Sequence, residues 1–312
     1  MERDAAERDW VALAADTPHL PGPLLAGRCA VVTGGAAGIG GSIVAAFAAH
    51  GADVLAVDRD EQALGRLVDL VGGAGASGSV GATGATGAHG AARVAGTSGS
   101  VEPLVLDVTA PDAAERIAAA SEPDVLVNNV GHFLVPPRSF ADSEAGEWAA
   151  VEAVNLTHVL RCTRVLLPGM IARGRGGAIV NLTTVEAFRG IPGHAVYAAC
   201  KAAVTQFGRS LAVEVGCHGI RVNAIAPDVV ESPQLPYSEW VPESERERWR
   251  TWVPLGRHGT GADVAGAALF LASPLSAFVT GTTVHVDGGT HAAGGWYPRA
   301  SGEGWTNRPL AP

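Results

Sequence analysis

Eight residues between two apolar stretches constrain this chain more than any others. The run 29–32 (CAVV) reads as a short buried strand and 42–50 as a helix, with Thr33-Gly34-Gly35-Ala36-Ala37-Gly38-Ile39-Gly40 between them. Glycines in a strand-to-helix turn let the backbone come close to a ligand. The helix that follows offers unpaired N–H groups and the positive end of its dipole to phosphate. The spacing is TGxxxGxG, which differs from the GxGxxG fingerprint of dinucleotide sites. Taken alone, the turn reads equally as a pyrophosphate cradle or as a tight connection.

The same strand-then-helix rhythm repeats along the chain. Strand 52–57 ends in Asp58, and strand 104–106 ends in Asp107 ahead of a helix at 113–120. Strand 124–127 runs into Asn128-Asn129-Val130-Gly131, and a long helix over 148–167 carries Asn155. Strand 178–182 precedes a helix that starts near Tyr197; strand 221–226 ends at Pro227-Asp228; helix 261–271 and strand 283–286 close the pattern. Such alternation predicts an α/β fold, a single Rossmann-type doubly wound parallel sheet with helices on both faces, over residues 24–292. Around it we expect an N-terminal extension (1–23) set off by Pro21-Gly22-Pro23 and a C-terminal tail (293–312). The Gly/Ala/Ser/Thr-rich stretch 71–100 has no apolar periodicity and reads as a flexible surface insertion. Residues 229–257, with Tyr237, Trp240, Trp249 and Trp252, read as a substrate lid.

Charge and composition exclude several functions. A formal charge of −9 without a block of Lys or Arg argues against nucleic acid or an anionic membrane as partner and for a small molecule. No run approaches the ~20 apolar residues of a spanning helix. The opening MERDAAERDW has no apolar core, so we expect neither a secretory nor a transit signal and a cytoplasmic protein. Cys29, Cys162, Cys200 and Cys217 lack CxxC or metal-type spacing and read as reduced core residues. The ten histidines show no ligand-type pairs, so no metal is expected.

The chemistry gathers late in the chain. Tyr197 and Lys201, four apart at the start of a helix, share a face. A phenol with an ordinary pKa of about 10 is a poor base at neutral pH, but a nearby ammonium favours the phenolate, so the pair can transfer a proton. Thr184 ends the strand before them and can hold a substrate oxygen. Asp58, about twenty residues beyond the glycines, can accept from the adenosine ribose hydroxyls and would repel a 2′-phosphate, which predicts NAD over NADP. Arg59 beside it weighs the other way. Asp107 either meets the adenine edge or caps the next helix, the commoner job. Asn155 is a poor residue for a helix interior, and so faces solvent or is kept for a reason.

Read in order, TGGAAGIG, NNVG, YAACK and NAIAP resemble the cofactor turn, NNAG, YxxxK and strand-end motifs of the short-chain dehydrogenase/reductases, over roughly residues 24–290. The resemblance implies a catalytic tetrad of Asn155, Thr184, Tyr197 and Lys201. Tyr197 would be the acid/base, and Lys201 would lower its pKa and bind the nicotinamide ribose. Asn155 would hold a relay water, and Thr184 would orient the substrate where the family usually has Ser. It further implies cofactor contacts at Gly34, Gly38, Ile39, Gly40, Asp58, Asp107, Val108, Asn129, Gly131, Pro227 and Ser232, besides Tyr197 and Lys201. His132, Glu186, His194 and the lid's Trp240 would meet the substrate; alternatively, Glu186 pairs with Arg189 and the histidines pack. Asp228 departs from the family's usual Gly, and Val130 from its Ala. The implied protein is an NAD-dependent oxidoreductase acting on a small alcohol or ketone, cyclic or polyoxygenated, and assembled as a homo-oligomer, tetramer or dimer. Two alternatives stand beside it: an NADPH-dependent ketoreductase, disfavoured by Asp58, and a non-catalytic dinucleotide sensor, disfavoured by the intact tetrad.

Overall fold

The computed structural model describes residues 23–73, 92–93, 99–299 and 304–306. Its centre is an eight-stranded sheet built from β1 (Cys29–Thr33), β2 (Asp53–Asp58), β3 (Ala92–Arg93), β4 (Ser100–Val105), β5 (Val125–Asn128), β6 (Gly177–Leu182), β7 (Ile220–Pro227) and β8 (Thr283–Val286). The strands lie in the order β3-β4-β2-β1-β5-β6-β7-β8. Seven run parallel, and only the two-residue β3 is antiparallel, paired with β4. The order reverses direction between β1 and β5, and in open α/β sheets the crevice at such a switch point, beyond the strands' carboxyl ends, receives the ligand.

Period-two alternation along buried strands splits the core into two layers. Ala30 and Val32 of β1 face α1 (Gly38–Ala49) and its Ile43, Val44 and Phe47. The same layer takes in α2 (Glu61–Gly73) and α9 (Gly261–Ala272). Val31 turns to the opposite face, where Ile117 of α3 (Ala113–Ala120), Leu166 of α5 (His158–Arg173) and Leu211 of α6 (Ala195–Val215) pack. The doubly wound expectation is met.

Three local readings are corrected. The stretch 71–100 is structured at its ends: α2 runs to Gly73 because its stripe Leu64, Leu67, Val68 and Val71 stays buried. β4 starts at Ser100, whose hydroxyl donates to Asp53 at 2.5 Å. Residues 74–91 and 94–98 of that stretch lie outside the described residues, as do 1–22, 300–303 and 307–312 of the extension and tail. The long helix expected over 148–167 is three pieces: α4 (Ala145–Glu152), a π turn (Ala153–Thr157), and α5. Asn155 drives the interruption, since its Nδ2 donates to the carbonyl of Val151 at 2.8 Å and takes over an acceptor of the helix ladder. The cysteines are all free thiols, but Cys217 is exposed and not a core residue. Among the described residues no helix is long and apolar enough to cross a membrane.

Candidate active site

The glycine turn is locked from the side by Asn129. Its Nδ2 donates to the carbonyls of Thr33 and Gly34, both at 3.0 Å, and its N–H donates to the Thr33 hydroxyl at 3.1 Å. The packing leaves no room for side chains: a Cβ on Gly40 would lie 1.9 Å from the Gly34 oxygen, and one on Gly34 would lie 2.8 Å from Asn129 Nδ2. Gly34 and Gly38 also take φ of +66° and +56°, conformations that L side chains avoid. The N–H groups of Gly35 and Ala36 are taken by the Val57 carbonyl and the Asp58 carboxylate, but no side chain caps the start of α1, which leaves the helix's first N–H groups for a ligand, and Ile39 anchors the helix to the core. The donor set and the bare backbone fit a pyrophosphate.

Asp58 stands beside this turn, its carboxylate accepting from the N–H of Ala36 at 3.2 Å and of Asp60 at 3.1 Å. Asp107 instead grips its own loop, accepting from the N–H and hydroxyl of Thr109 at 2.8 and 2.7 Å, bonds that hold its pKa below the usual value. It caps no helix, since α3 begins after Asp112. Val108 points its side chain into the core, 5% exposed, leaving its backbone for any ligand. Ser232 pairs with Leu235, and its neighbour Pro233 reaches within 3.0 Å of where a Gly38 Cβ would stand, so this segment covers the glycine turn.

Beyond β5 and β6 the expected catalytic side chains converge. The Lys201 Nζ donates to the carbonyl of Leu182 at 3.0 Å and lies 5.9 Å from the Tyr197 ring centroid. Gly131 is needed there, because a Cβ would fall 2.5 Å from Lys201 Nζ and 3.1 Å from Asn155 Oδ1. Asn155, fully buried, accepts from the N–H of His132 at 3.0 Å and donates to the His132 carbonyl at 2.8 Å. The Thr184 hydroxyl donates to the Pro227 carbonyl at 3.4 Å and accepts from the N–H of Glu186 at 3.3 Å. Thr183, one residue earlier, turns its hydroxyl into the sheet, onto the Ile225 carbonyl.

The electrostatics overturn one expectation. The Tyr197 phenol is raised, not lowered: burial pushes it up first and the Glu186 carboxylate adds to this, while a hydrogen bond with Thr184 opposes them. Lys201 does not offset this, since burial drives its own ammonium down to about 8. Both groups sit where either charged form is disfavoured.

The expected substrate contacts divide. His132 folds back, its Nδ1 accepting from the N–H of Leu134 at 2.8 Å, and burial lowers its pKa. His194 stacks on Phe133 (centroids 4.4 Å), which in turn covers the Tyr197 ring at 4.5 Å. Glu186 is held by Arg189 at 2.9 Å, so the ion-pair alternative is the one the structure takes. Trp240, in α7 (Tyr237–Trp240), is 57% exposed and meets Tyr237 edge-on. A partly open aromatic cleft lined by Phe133, Val135, Phe140, Trp148, Val151 and His194 reaches Tyr197, and Asn155, Thr184 and Lys201 are not in its lining. An Arg138–Glu147 ion pair at 2.7 Å stands at its wall.

A family model described as short chain dehydrogenase matches residues 28–81, and one described as Enoyl-(Acyl carrier protein) reductase matches 73–291. The chain belongs to the short-chain dehydrogenase/reductase family. It is similar to L-xylulose reductase of Bos taurus, 35% identical over 266 residues, covering 85% of this chain and 97% of the relative. Two solved structures are also alike. A Beutenbergia cavernae protein assigned as an NAD(P) dependent gluconate 5-dehydrogenase, with bound NADP, superposes at a TM-score of 0.72 with 34% identity, over 87% of this chain and 100% of its own. A Brucella melitensis 3-oxoacyl-(acyl-carrier protein) reductase with bound NAD gives 0.71 and 32%, over 86% and 93%. The chain is thus an NAD(P)-dependent oxidoreductase of alcohol and ketone groups.

Two residues of this short-chain dehydrogenase/reductase escaped the sequence reading. His158, 1% exposed, sets its Nε2 at 3.1 Å from the Val130 carbonyl; burial and then the Lys201 charge push its pKa down to about 4, so the ring is neutral. Its place three residues after Asn155 was the available signal. Arg189 was noted only as a partner for Glu186, yet it also reaches Asp228 Oδ2 at 2.7 Å. The unusual Asp228 pointed there.

Proposed function

We propose that this protein interconverts a secondary alcohol and a ketone on a neutral cyclic or polyoxygenated small molecule, with NAD as cofactor. The observation that carries the reading is the meeting of Thr184, Tyr197 and Lys201 beside Gly131, next to a turn whose bare backbone suits a pyrophosphate. The dinucleotide, when bound, supplies the hydride acceptor or donor at its nicotinamide. Tyr197 takes the hydroxyl proton in oxidation and returns one in reduction, and Thr184 holds the reacting oxygen toward it. Lys201 bears on the nicotinamide ribose. Asn155 fixes the backbone at His132, at the mouth of the proton path.

Asp58 supports NAD: a carboxylate already taking N–H bonds beside the turn is a poor neighbour for a 2′-phosphate. A neutral substrate is supported by the charges beside Thr184, where Glu186 and Asp228 outnumber Arg189. The aromatic cleft favours a ring, and the xylulose and gluconate relatives favour several oxygens. We take the protein to be cytoplasmic, and a homo-oligomer through α5 and α6, where Leu160 and Val213 are 38% and 87% exposed. Residues 229–257 act as the lid.

NAD reduction over a panel of cyclic alcohols and diols, open-chain polyols and hydroxy acids, beside NADH and NADPH fluorescence titrations, tests this. Turnover of a neutral alcohol, with NADH bound at least about tenfold more tightly than NADPH, is expected. A preference for hydroxy acids or for NADPH contradicts the substrate or cofactor reading respectively, and dinucleotide binding without turnover of any alcohol or ketone favours a sensor.

A further inference from the structure

Five hydrogen-bonded or covalent links close a ring around Thr184. The Glu186 N–H donates to Thr184 Oγ1 at 3.3 Å, and Thr184 Oγ1 donates to the Pro227 carbonyl at 3.4 Å. Asp228 follows Pro227 in the chain and accepts from Arg189 Nη2 at 2.7 Å. Arg189 returns to Glu186 through Nη2 at 2.9 Å and Nε at 3.3 Å, a two-pronged contact that fixes the guanidinium plane. Thr290 adds a hydroxyl bond to the same Asp228 oxygen at 2.5 Å. The Glu186 and Asp228 side chains are only 13% and 11% exposed, so solvent screens this cluster weakly.

We propose that Arg189 is a positioning residue of the active site: it locks the loop after β6 to the loop after β7, orients the Thr184 hydroxyl, and neutralises the Glu186 carboxylate that faces Tyr197. This role rests on the reading of Tyr197 as the proton-transfer group. Glu186 raises the Tyr197 pKa even while paired, so releasing it from Arg189 would raise that pKa further. The other charged or titratable groups facing the cluster are Asp228 and, through Thr290, Asp287. Lys201 faces Tyr197 from within α6. Tyr237 comes from the 229–257 segment with Glu231 behind it, its phenol pushed up to about 12 by burial, Asp228 and Glu186 and eased by Arg189. His285 and His291 stack on one another at 4.6 Å against Phe188, and His194 approaches only through Phe133.

The test is the pH dependence of kcat/KM for alcohol oxidation in the full-length protein and in R189M, E186Q and R189M/E186Q, with NADH affinity read on each. Oxidation needs the phenolate, so the rising limb reports the Tyr197 pKa. R189M is expected to move that limb up by about one pH unit, E186Q to move it down, and the double variant to lie at or below the wild type. NADH affinity should change less than about threefold. An even loss at all pH values with the limb unmoved, a double variant that stays shifted like R189M, or loss of NADH binding overturns the proposal. Should R189M not fold, R189Q takes its place, with the same upward shift upholding the proposal and an unmoved limb overturning it. Wild-type protein that turns over no alcohol or ketone overturns instead the functional reading beneath it.

Discussion

At the scale of single residues, burial decides the active-site chemistry more than pairing does. Lys201 makes one backbone hydrogen bond and has its pKa pulled to about 8, while the nearby His158 falls to about 4. A histidine whose folded pKa is depressed binds its proton more readily when the chain is unfolded. Its contribution is therefore present above the unfolded value of about 6.5 and lost as pH falls toward 4. H158Q, which can still donate to the Val130 carbonyl, should flatten this acid limb, removing up to about 3 kcal/mol of stability loss between pH 6.5 and 4. Urea unfolding at a series of pH values checks it; parallel acid limbs for both proteins would contradict it. The residue types of the tetrad were legible in the sequence because each motif has a fixed spacing. The balance on Tyr197 was not, since a spacing of four places Lys201 on its face without saying how deep the pair lies.

At the scale of elements, the site is made at the ends of strands and at one deliberate irregularity. The π turn Ala153–Thr157 brings Asn155 inward, and its amide satisfies both backbone groups of His132 as well as the Val151 carbonyl. π turns of this kind often mark functional positions. N155A removes the partner of the buried Val151 carbonyl and of the part-buried N–H and carbonyl of His132 and should cost about 1–3 kcal/mol, read by chemical denaturation. A loss below about 1 kcal/mol would mean the His132 loop has other anchors. The mid-helix Asn stood out in the sequence as a poor helix former, so the anomaly was legible. Its geometry was not, because propensity cannot tell a solvent-facing Asn from one that rewires its own helix. Likewise, the low-complexity stretch 71–100 hid Val71, the last of the buried stripe that carries α2 to Gly73, and the pairing that starts β4 at Ser100.

At the scale of the whole molecule, strand and helix alternation determined the architecture, and the two-layer core follows from the period-two pattern of buried strands. Contacts between loops that are distant in sequence were beyond that reasoning. Arg189 meets Asp228 across 39 positions, and Asp228 meets Thr290 across 62, joined only because β6, β7 and β8 lie side by side. The surroundings of Glu186 and Trp240 were illegible for the same reason: one is paired with Arg189 and the other is largely exposed. The account of the molecule as a whole stands on Tyr197 as its proton-transfer group. The most direct measurement is therefore turnover of Y197F against wild type on the best alcohol of the panel, with NADH affinity measured on the same samples. We predict a fall in kcat of at least about 10²-fold with NADH affinity unchanged within about threefold. Turnover retained within about tenfold would contradict the assignment.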